Sequence, residues 1–215
     1  MLQNVPLFAS LSSAERRTLA RAVAIRSYPK NSVILNEGER SDSIYVIDSG
    51  KVKVLMRDEE GKEVILSILK EGDYFGELAL IDELPRSASV VAMEPSEMTV
   101  LSKADFLQCV ANNPGIAMTV MRGLAQRLRE ADLKIESLAL MDVYGRVART
   151  LLQLAEPENG RLVIKEKLSQ REIANMIGAS REMVSRILKD LAHDGYILIE
   201  GKRIVLNEKL PSRAV

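Results

Sequence analysis

The stretch PGIAMTVMRGLAQRLREADLKIESLALM, residues 114–141, decides how the chain is organised. Proline occurs only at its first position, so nothing after Pro114 breaks a helix. Apolar residues recur at Ala117, Met121, Leu124, Leu128, Ala131, Ile135 and Leu138, in alternating steps of four and three. That is a heptad seam, narrower than the apolar stripe of a helix packed on one globular core. Arg122, Arg127, Arg129, Glu130, Lys134 and Glu136 lie between the seam positions and can stay in water. The spacing predicts a long helix paired with an identical copy, with the flanking segments duplicated about a two-fold axis. A core helix within one domain is the competing reading. Gly123, one residue before a seam position, weakens the helix by ~1 kcal/mol against alanine.

The whole chain of 215 residues suffices for one or two domains. No apolar run approaches a membrane span, and MLQNVPLFASL at the N-terminus lacks the basic and apolar regions of a secretory signal. One cysteine, Cys109, and one histidine, His193, far apart, exclude an internal disulfide and a metal, haem or iron–sulfur site built from several ligands. Cys109 sits in FLQCVA and reads as a small buried hydrophobe. These features fit a cytoplasmic protein. The formal charge is zero, divided as −3 over residues 1–141 and +3 over 142–215. The C-terminal part is therefore the better candidate for a polyanion partner.

Before the long helix, residues 10–25 read as a short amphipathic helix capped by Ser12 or Ser13, with Leu19, Ala22 and Val23 inward. Short strands follow at 33–35, 44–47, 52–55, 64–69 and 89–93, rich in Val and Ile. Gly38, Gly50, Gly61 and Gly72 punctuate them every eleven or twelve residues. Such spacing predicts an antiparallel barrel or jelly roll, with a mixed α+β sheet as the alternative. Residues 102–113 form another helix, capped by Ser102. The helical pattern after Met141 continues through DVYGRVARTLLQLA to about Ala155; EPENG (156–160) reads as a turn and RLVIK as a strand. The domain division is 1–113, 114–141 and 142–215.

Tyr74 to Ser89, YFGELALIDELPRSAS, interrupts the strand rhythm. Gly76 permits close backbone approach, and Glu77-Leu78-Ala79 can form one helical turn with free N–H groups. Arg86 offers a planar fork of donors for a phosphate, Ser87 adds a hydroxyl, and Glu77 can accept from a sugar hydroxyl. A ribose phosphate would use all of these groups. A loop carrying a surface Glu–Arg pair is the plainer reading. No general base, nucleophile or metal cluster accompanies the stretch, which argues against an enzyme.

Near the C-terminus, Ser169-Gln170-Arg171-Glu172 is a capping box that opens a helix ending at Gly178. Ser180 then caps a second helix, REMVSRILKDLAHD, and Ile173, Ile177, Val184, Ile187, Leu188 and Leu191 supply an apolar face. This is a helix-turn-helix, or else an ordinary αα-corner. YILIEGKRIVL (196–206) reads as a hairpin turning at Glu200-Gly201-Lys202, which adds a wing. Arg181, Glu182 and Arg186 occupy the exposed half of the second helix. Arginine can bind guanine O6 and N7, and glutamate can accept from cytosine N4. A Glu182–Arg186 surface pair at four residues' spacing competes for two of them but leaves Arg181 unexplained. Ser169, Ser180 and Lys189 are candidate phosphate contacts on double-stranded DNA.

FGELAL followed by PRSASV resembles the phosphate-binding cassette of cyclic-nucleotide-binding domains, which are jelly rolls. SREMVSRILKDL and LALMDVYGRVARTLLQLA resemble the catabolite activator (CRP/FNR) family of bacterial regulators, and that resemblance covers essentially the whole chain. It implies an α+β architecture: an N-terminal antiparallel β jelly roll, a long coiled-coil dimerisation helix and a C-terminal winged helix-turn-helix. It implies cyclic-nucleotide contacts at Gly76, Glu77, Leu78, Arg86, Ser87 and Ala88, with Glu77 on the ribose 2′-OH and Arg86 and Ser87 on the cyclic phosphate. It further implies a homodimer, RNA polymerase as a partner, and TGTGA/TCACA palindromes read by Arg181, Glu182 and Arg186. The iron–sulfur sensor of the FNR branch needs a cysteine cluster that this chain lacks. In cyclic-AMP-binding members a Thr-Ser pair on the long helix contacts adenine across the dimer. Alignment places Ala131 and Asp132 there, without either hydroxyl. A carboxylate can accept one hydrogen bond from an adenine amine but two from guanine N1–H and N2–H. The expected effector is therefore cyclic AMP by family habit, with cyclic di-GMP or cyclic GMP favoured by Asp132. A constitutive DNA-binding protein with a vestigial pocket is the alternative.

Overall fold

A computed structural model describes residues 5–40, 42–165, 168–201 and 203–207. It forms two compact units, 1–128 and 129–215, and the division falls inside the long helix.

In the first unit, α1 (Ser13–Ala22) starts at a capping box: Ser12 Oγ accepts from Glu15 N at 3.3 Å, and Glu15 Oε2 accepts from Ser12 N at 2.7 Å. The helix is shorter than the sequence suggests, and Ala22 is exposed while Leu19 is buried. Residues 24–28 leave the helix because they pair along their whole length with a strand missed in the sequence. That strand is β8 (Ser96–Ser102), antiparallel to β1 (Ala24–Tyr28) from Ala24↔Val100 to Tyr28↔Ser96. Between them come β2 (Val33–Leu35), β3 (Ser43–Ser49), β4 (Lys51–Arg57), β5 (Glu63–Lys70), β6 (Tyr74–Phe75), the single turn α2 (Leu78–Ile81) and β7 (Ser89–Ala92).

The strands form two four-stranded sheets, ordered β1-β8-β3-β6 and β2-β7-β4-β5, with every pairing antiparallel. Side chains from both sheets, among them Ile47, Val52, Phe75, Val90 and Met98, fill the space between them. Gly38, Gly50, Gly61 and Gly72 all take positive φ, so each punctuating glycine serves a turn that an L side chain resists. The other face of β3 carries Ile44 and Val46. These pack against Leu7, Phe8, Leu19 of α1, Phe106 of α3 (Lys103–Asn112), and Ile116 and Val120 of α4 (Pro114–Leu140).

Two stripes therefore run along α4. Ile116 and Val120 are buried on the barrel, whereas Met121, Leu128, Ile135 and Leu138 of the heptad seam are 53%, 64%, 64% and 55% exposed. Leu124, also a seam position, is half-buried against the barrel cluster.

In the second unit the helical pattern does not run unbroken through Met141. Asp142 is extended (φ −70°, ψ 172°), and its Oδ1 accepts from Gly145 N at 2.7 Å, capping a separate helix, α5 (Val143–Leu154). An aspartate two residues beyond the end of α4 competes for the backbone N–H groups that a continuous helix would have used. The 156–160 segment is a strand plus a turn: β9 (Glu156–Glu158) pairs with β10 (Arg161–Ile164) around Asn159 and Gly160, both at positive φ. Then follow α6 (Gln170–Ile177), α7 (Arg181–His193), β11 (Ile197–Glu200) and β12 (Arg203–Leu206), giving a sheet ordered β11-β12-β10-β9. Val147, Leu151, Ile173, Ile177, Val184, Leu188 and Leu191 join the three helices in one core. The wing turn is present, with Gly201 at φ 59°; Lys202, expected at its tip, lies outside the described residues.

Candidate nucleotide cassette and DNA-reading surface

β6 delivers Tyr74 and Phe75 into the core, and the chain then turns at Gly76, where φ is +87°. Two constraints select glycine there. A Cβ would lie in a conformation that L residues resist, and it would sit 2.6 Å from Arg86 Nη1. Arg86 fills that space. It is 4% exposed, with Nη1 donating to Gly76 O at 2.5 Å and Nη2 to Ser43 O at 2.6 Å. Its backbone is clamped too, since Arg86 N donates to Glu39 O at 2.9 Å and Arg86 O accepts from Gly38 N at 2.8 Å. The fork expected for a phosphate thus holds two backbone carbonyls in this structure. Ser87 is exposed beside it and Ala88 is buried.

Glu77 precedes α2 and is 1% exposed. Its Oε1 accepts from Arg127 Nη1 at 2.5 Å, while the buried Oε2 has no hydrogen-bond partner among the described residues. Burial pushes the Glu77 carboxyl above the ordinary carboxylate range, against the pull of Arg127 and Arg86. Leu78, on the next position, is 41% exposed.

Arg127 is the residue the sequence reading misplaces. It does not simply stand in water: its Nη2 also donates to Tyr74 O at 2.5 Å, and its guanidinium lies 5.1 Å from the Tyr74 ring centroid. Tyr74 in turn donates from its hydroxyl to Val120 O at 3.4 Å. Gly123 makes this possible, since a Cβ there would lie 2.1 Å from Tyr74 Oη. A signal was present in the sequence. Ile116, Val120, Gly123 and Arg127 repeat the four-three-four spacing beside the seam and end on a charge. Ala131 and Asp132 follow on α4, both exposed, in the second unit; among the described residues Asp132 makes no ion pair.

At the other end of the chain, α6 opens on the expected capping box. Ser169 Oγ accepts from Glu172 N at 3.2 Å, and Glu172 Oε2 accepts from Ser169 N at 2.7 Å. It closes at Gly178 in the left-handed region. Ser180 Oγ accepts from Met183 N at 3.2 Å and caps α7. Both cap serines therefore sit where a helix N-terminus leaves N–H groups for an anion. Arg181, Glu182, Arg186 and Lys189 are exposed and, with Gln170 and Ser185, line one shallow depression. Among the described residues no salt bridge joins Glu182 to Arg186. Gln170 and Ser185 were not singled out as contacts in the sequence, because nothing in their spacing separates them from ordinary helix positions.

Comparison with known proteins matches both ends. Residues 25–113 fit the cyclic nucleotide-binding domain, and residues 145–209 the Crp-like helix-turn-helix domain. These two modules on one chain define a DNA-binding transcription regulator with a cyclic nucleotide-binding domain. The chain is 35% identical over 220 residues to the CRP-like cAMP-activated global transcriptional regulator of Mycobacterium tuberculosis, covering 100% of this chain and 98% of that one. It is 41% identical over 186 residues to the cAMP-activated global transcriptional regulator CRP of Salmonella typhimurium, covering 85% and 89%. Among solved structures, it resembles the c-di-GMP responsive global regulator CLP of Xanthomonas campestris, with a TM-score of 0.79, 25% identity, and coverage of 92% and 100%. The chain belongs to the catabolite activator (CRP/FNR) family of DNA-binding transcriptional regulators, and it is not an enzyme.

Among the described residues no group of three potential metal-ligating side chains comes together, and no helix is long and apolar enough to cross a membrane.

Proposed function

We propose that the protein is a homodimeric regulator whose affinity for TGTGA/TCACA-type palindromes is set by a cyclic nucleotide bound at Gly76, Glu77, Leu78, Arg86, Ser87 and Ala88. The observation that carries this reading is Glu77 Oε2, an acceptor on a 1% exposed side chain with no partner among the described residues. A buried, unsatisfied carboxylate oxygen is costly, at ~1–3 kcal/mol or more, and a ribose hydroxyl would satisfy it. Arg86 is the buried cation nearest in sequence, and its fork matches a phosphate once it exchanges carbonyl partners for ligand oxygens. The exposed seam of α4 supports a parallel two-fold pairing, which makes residues 114–141 a dimerisation segment between the sensor, 1–113, and the DNA-binding part, 142–215. Arg181, Glu182 and Arg186 read bases, and Ser169, Ser180 and Lys189 hold phosphates. A DNA partner fits a cytoplasmic protein, and RNA polymerase is its expected partner at a promoter.

The effector is cyclic AMP on the strength of the named relatives and cyclic di-GMP or cyclic GMP on the strength of Asp132, which can accept both guanine donors. Ligand would act through its different affinities for two dimer states, with the Asp142 break as the joint between α4 and α5. Calorimetric titration of cyclic AMP, cyclic GMP and cyclic di-GMP into wild type and R86K tests the reading. One nucleotide should bind wild type and lose most of its affinity in R86K, which keeps the charge and loses the fork. A protein that binds TGTGA sites tightly and gives no heat with any of the three would be a constitutive regulator with a vestigial pocket.

A further inference from the structure

From the heptad register of α4, we infer that Arg127 of one copy forms an ion pair with Asp132 of a second copy, and that this pair sets the parallel register of the dimer. The inference rests on the homodimer reading above. With Met121, Leu128 and Ile135 as the first core position of each heptad and Leu124, Ala131 and Leu138 as the fourth, two flanking rows follow. Val120, Arg127 and Lys134 precede the first core positions; Met118, Ala125, Asp132 and Ala139 follow the fourth. In a parallel pair of helices a residue of the preceding row meets the partner residue five positions further along, in the following row. Those pairings are Val120 with Ala125, Arg127 with Asp132, and Lys134 with Ala139. Arg127 and Asp132 are the one opposite-charge pair in this register, and two-fold symmetry forms it twice.

Both partners are prepared for it. Asp132 is exposed and makes no ion pair among the described residues. The Arg127 side chain remains 36% exposed while bonded to Glu77 and Tyr74, and a guanidinium has five N–H donors to distribute. The same arginine then serves a carboxylate in its own cassette and one on the neighbouring copy. Glu77 is in this way linked to the dimer seam through one side chain.

The test is the dimer dissociation constant, measured by sedimentation without nucleotide for wild type, D132A, D132K, R127A and R127A/D132A. Expected are a roughly tenfold weakening in D132A, from two partly exposed pairs, and a greater weakening in D132K, which opposes two cations. D132A should add little in the R127A background, and its effect should shrink at high salt. If wild type dimerises but D132A weakens it equally with and without Arg127, or not at all, the pair is overturned while the homodimer stands. A monomeric wild type overturns both.

Discussion

Arg127 Nη1 lies 2.5 Å from Glu77 Oε1, so the long helix supplies the counter-ion for a buried carboxylate in the candidate nucleotide cassette. The two residues are fifty positions apart in the chain, yet neither the charge on Glu77 nor the seat of α4 on the barrel is independent of the other. Replacing Arg127 by alanine leaves a 1% exposed glutamate without this partner. The expected loss of stability is ~1–3 kcal/mol, below that of a fully buried pair because Arg127 is partly in water. Denaturant unfolding of R127A checks it, and R127A/E77Q should recover part of the loss.

With the ribose contact proposed for Glu77, nucleotide binding should depend on pH. Burial raises the Glu77 pKa in the free protein, and a ribose hydroxyl donated to Oε2 favours the carboxylate, so the bound pKa is lower. Between the two values binding releases a proton. Affinity should therefore rise with pH between the bound and the free pKa and flatten above the raised value. Calorimetry in buffers of different ionisation heat measures the released proton, and E77Q should lose both the slope and the release.

Gly123 separates two opposing expectations. Helix propensity alone gives Gly123→Ala a gain of ~1 kcal/mol. The position of Tyr74 Oη, 2.1 Å from the added Cβ, gives instead a net loss of ~1–3 kcal/mol through overpacking. Thermal or denaturant unfolding of G123A decides the sign. G123A/Y74F should be less destabilised than G123A, because the hydroxyl is the atom in the way.

On the DNA end, the proposed reading assigns Arg181 and Arg186 of α7 to bases and Lys189 to phosphate. R181A and R186A should each cost ~1–3 kcal/mol on the palindrome and relax preference at one base pair of each half-site. K189A should weaken all sequences alike and lower the salt slope by about one per half-site. Fluorescence anisotropy against a panel of half-site variants at several salt concentrations distinguishes the two behaviours.

Much of this was legible in the sequence because it is periodic or capped. The proline-free helical run of α4, the glycine rhythm of the barrel, and the Ser169 and Ser180 caps each state a local rule that the structure obeys. The failures share a cause. β1 is a strand because β8 recruits it, as β3 recruits β8, and Ala24–Tyr28 carries too little alternation to show it alone. The same holds for Glu156–Glu158, which β10 recruits. In the cassette, Arg86 and Glu77 could be named from their motif, but their partners could not. Gly76 O, Ser43 O and Arg127 come from a turn, a strand and a helix that only the fold brings together.

The most direct test of the central proposal is the affinity of the dimer for a TGTGA/TCACA palindrome, measured with and without each cyclic nucleotide, in wild type and R86K. Wild type should bind the palindrome at least severalfold more tightly with one of the nucleotides, or more weakly if the free form is the active one, and R86K should show no such change. Superimposable DNA-binding curves for wild type in the presence and absence of every nucleotide would contradict cyclic-nucleotide control.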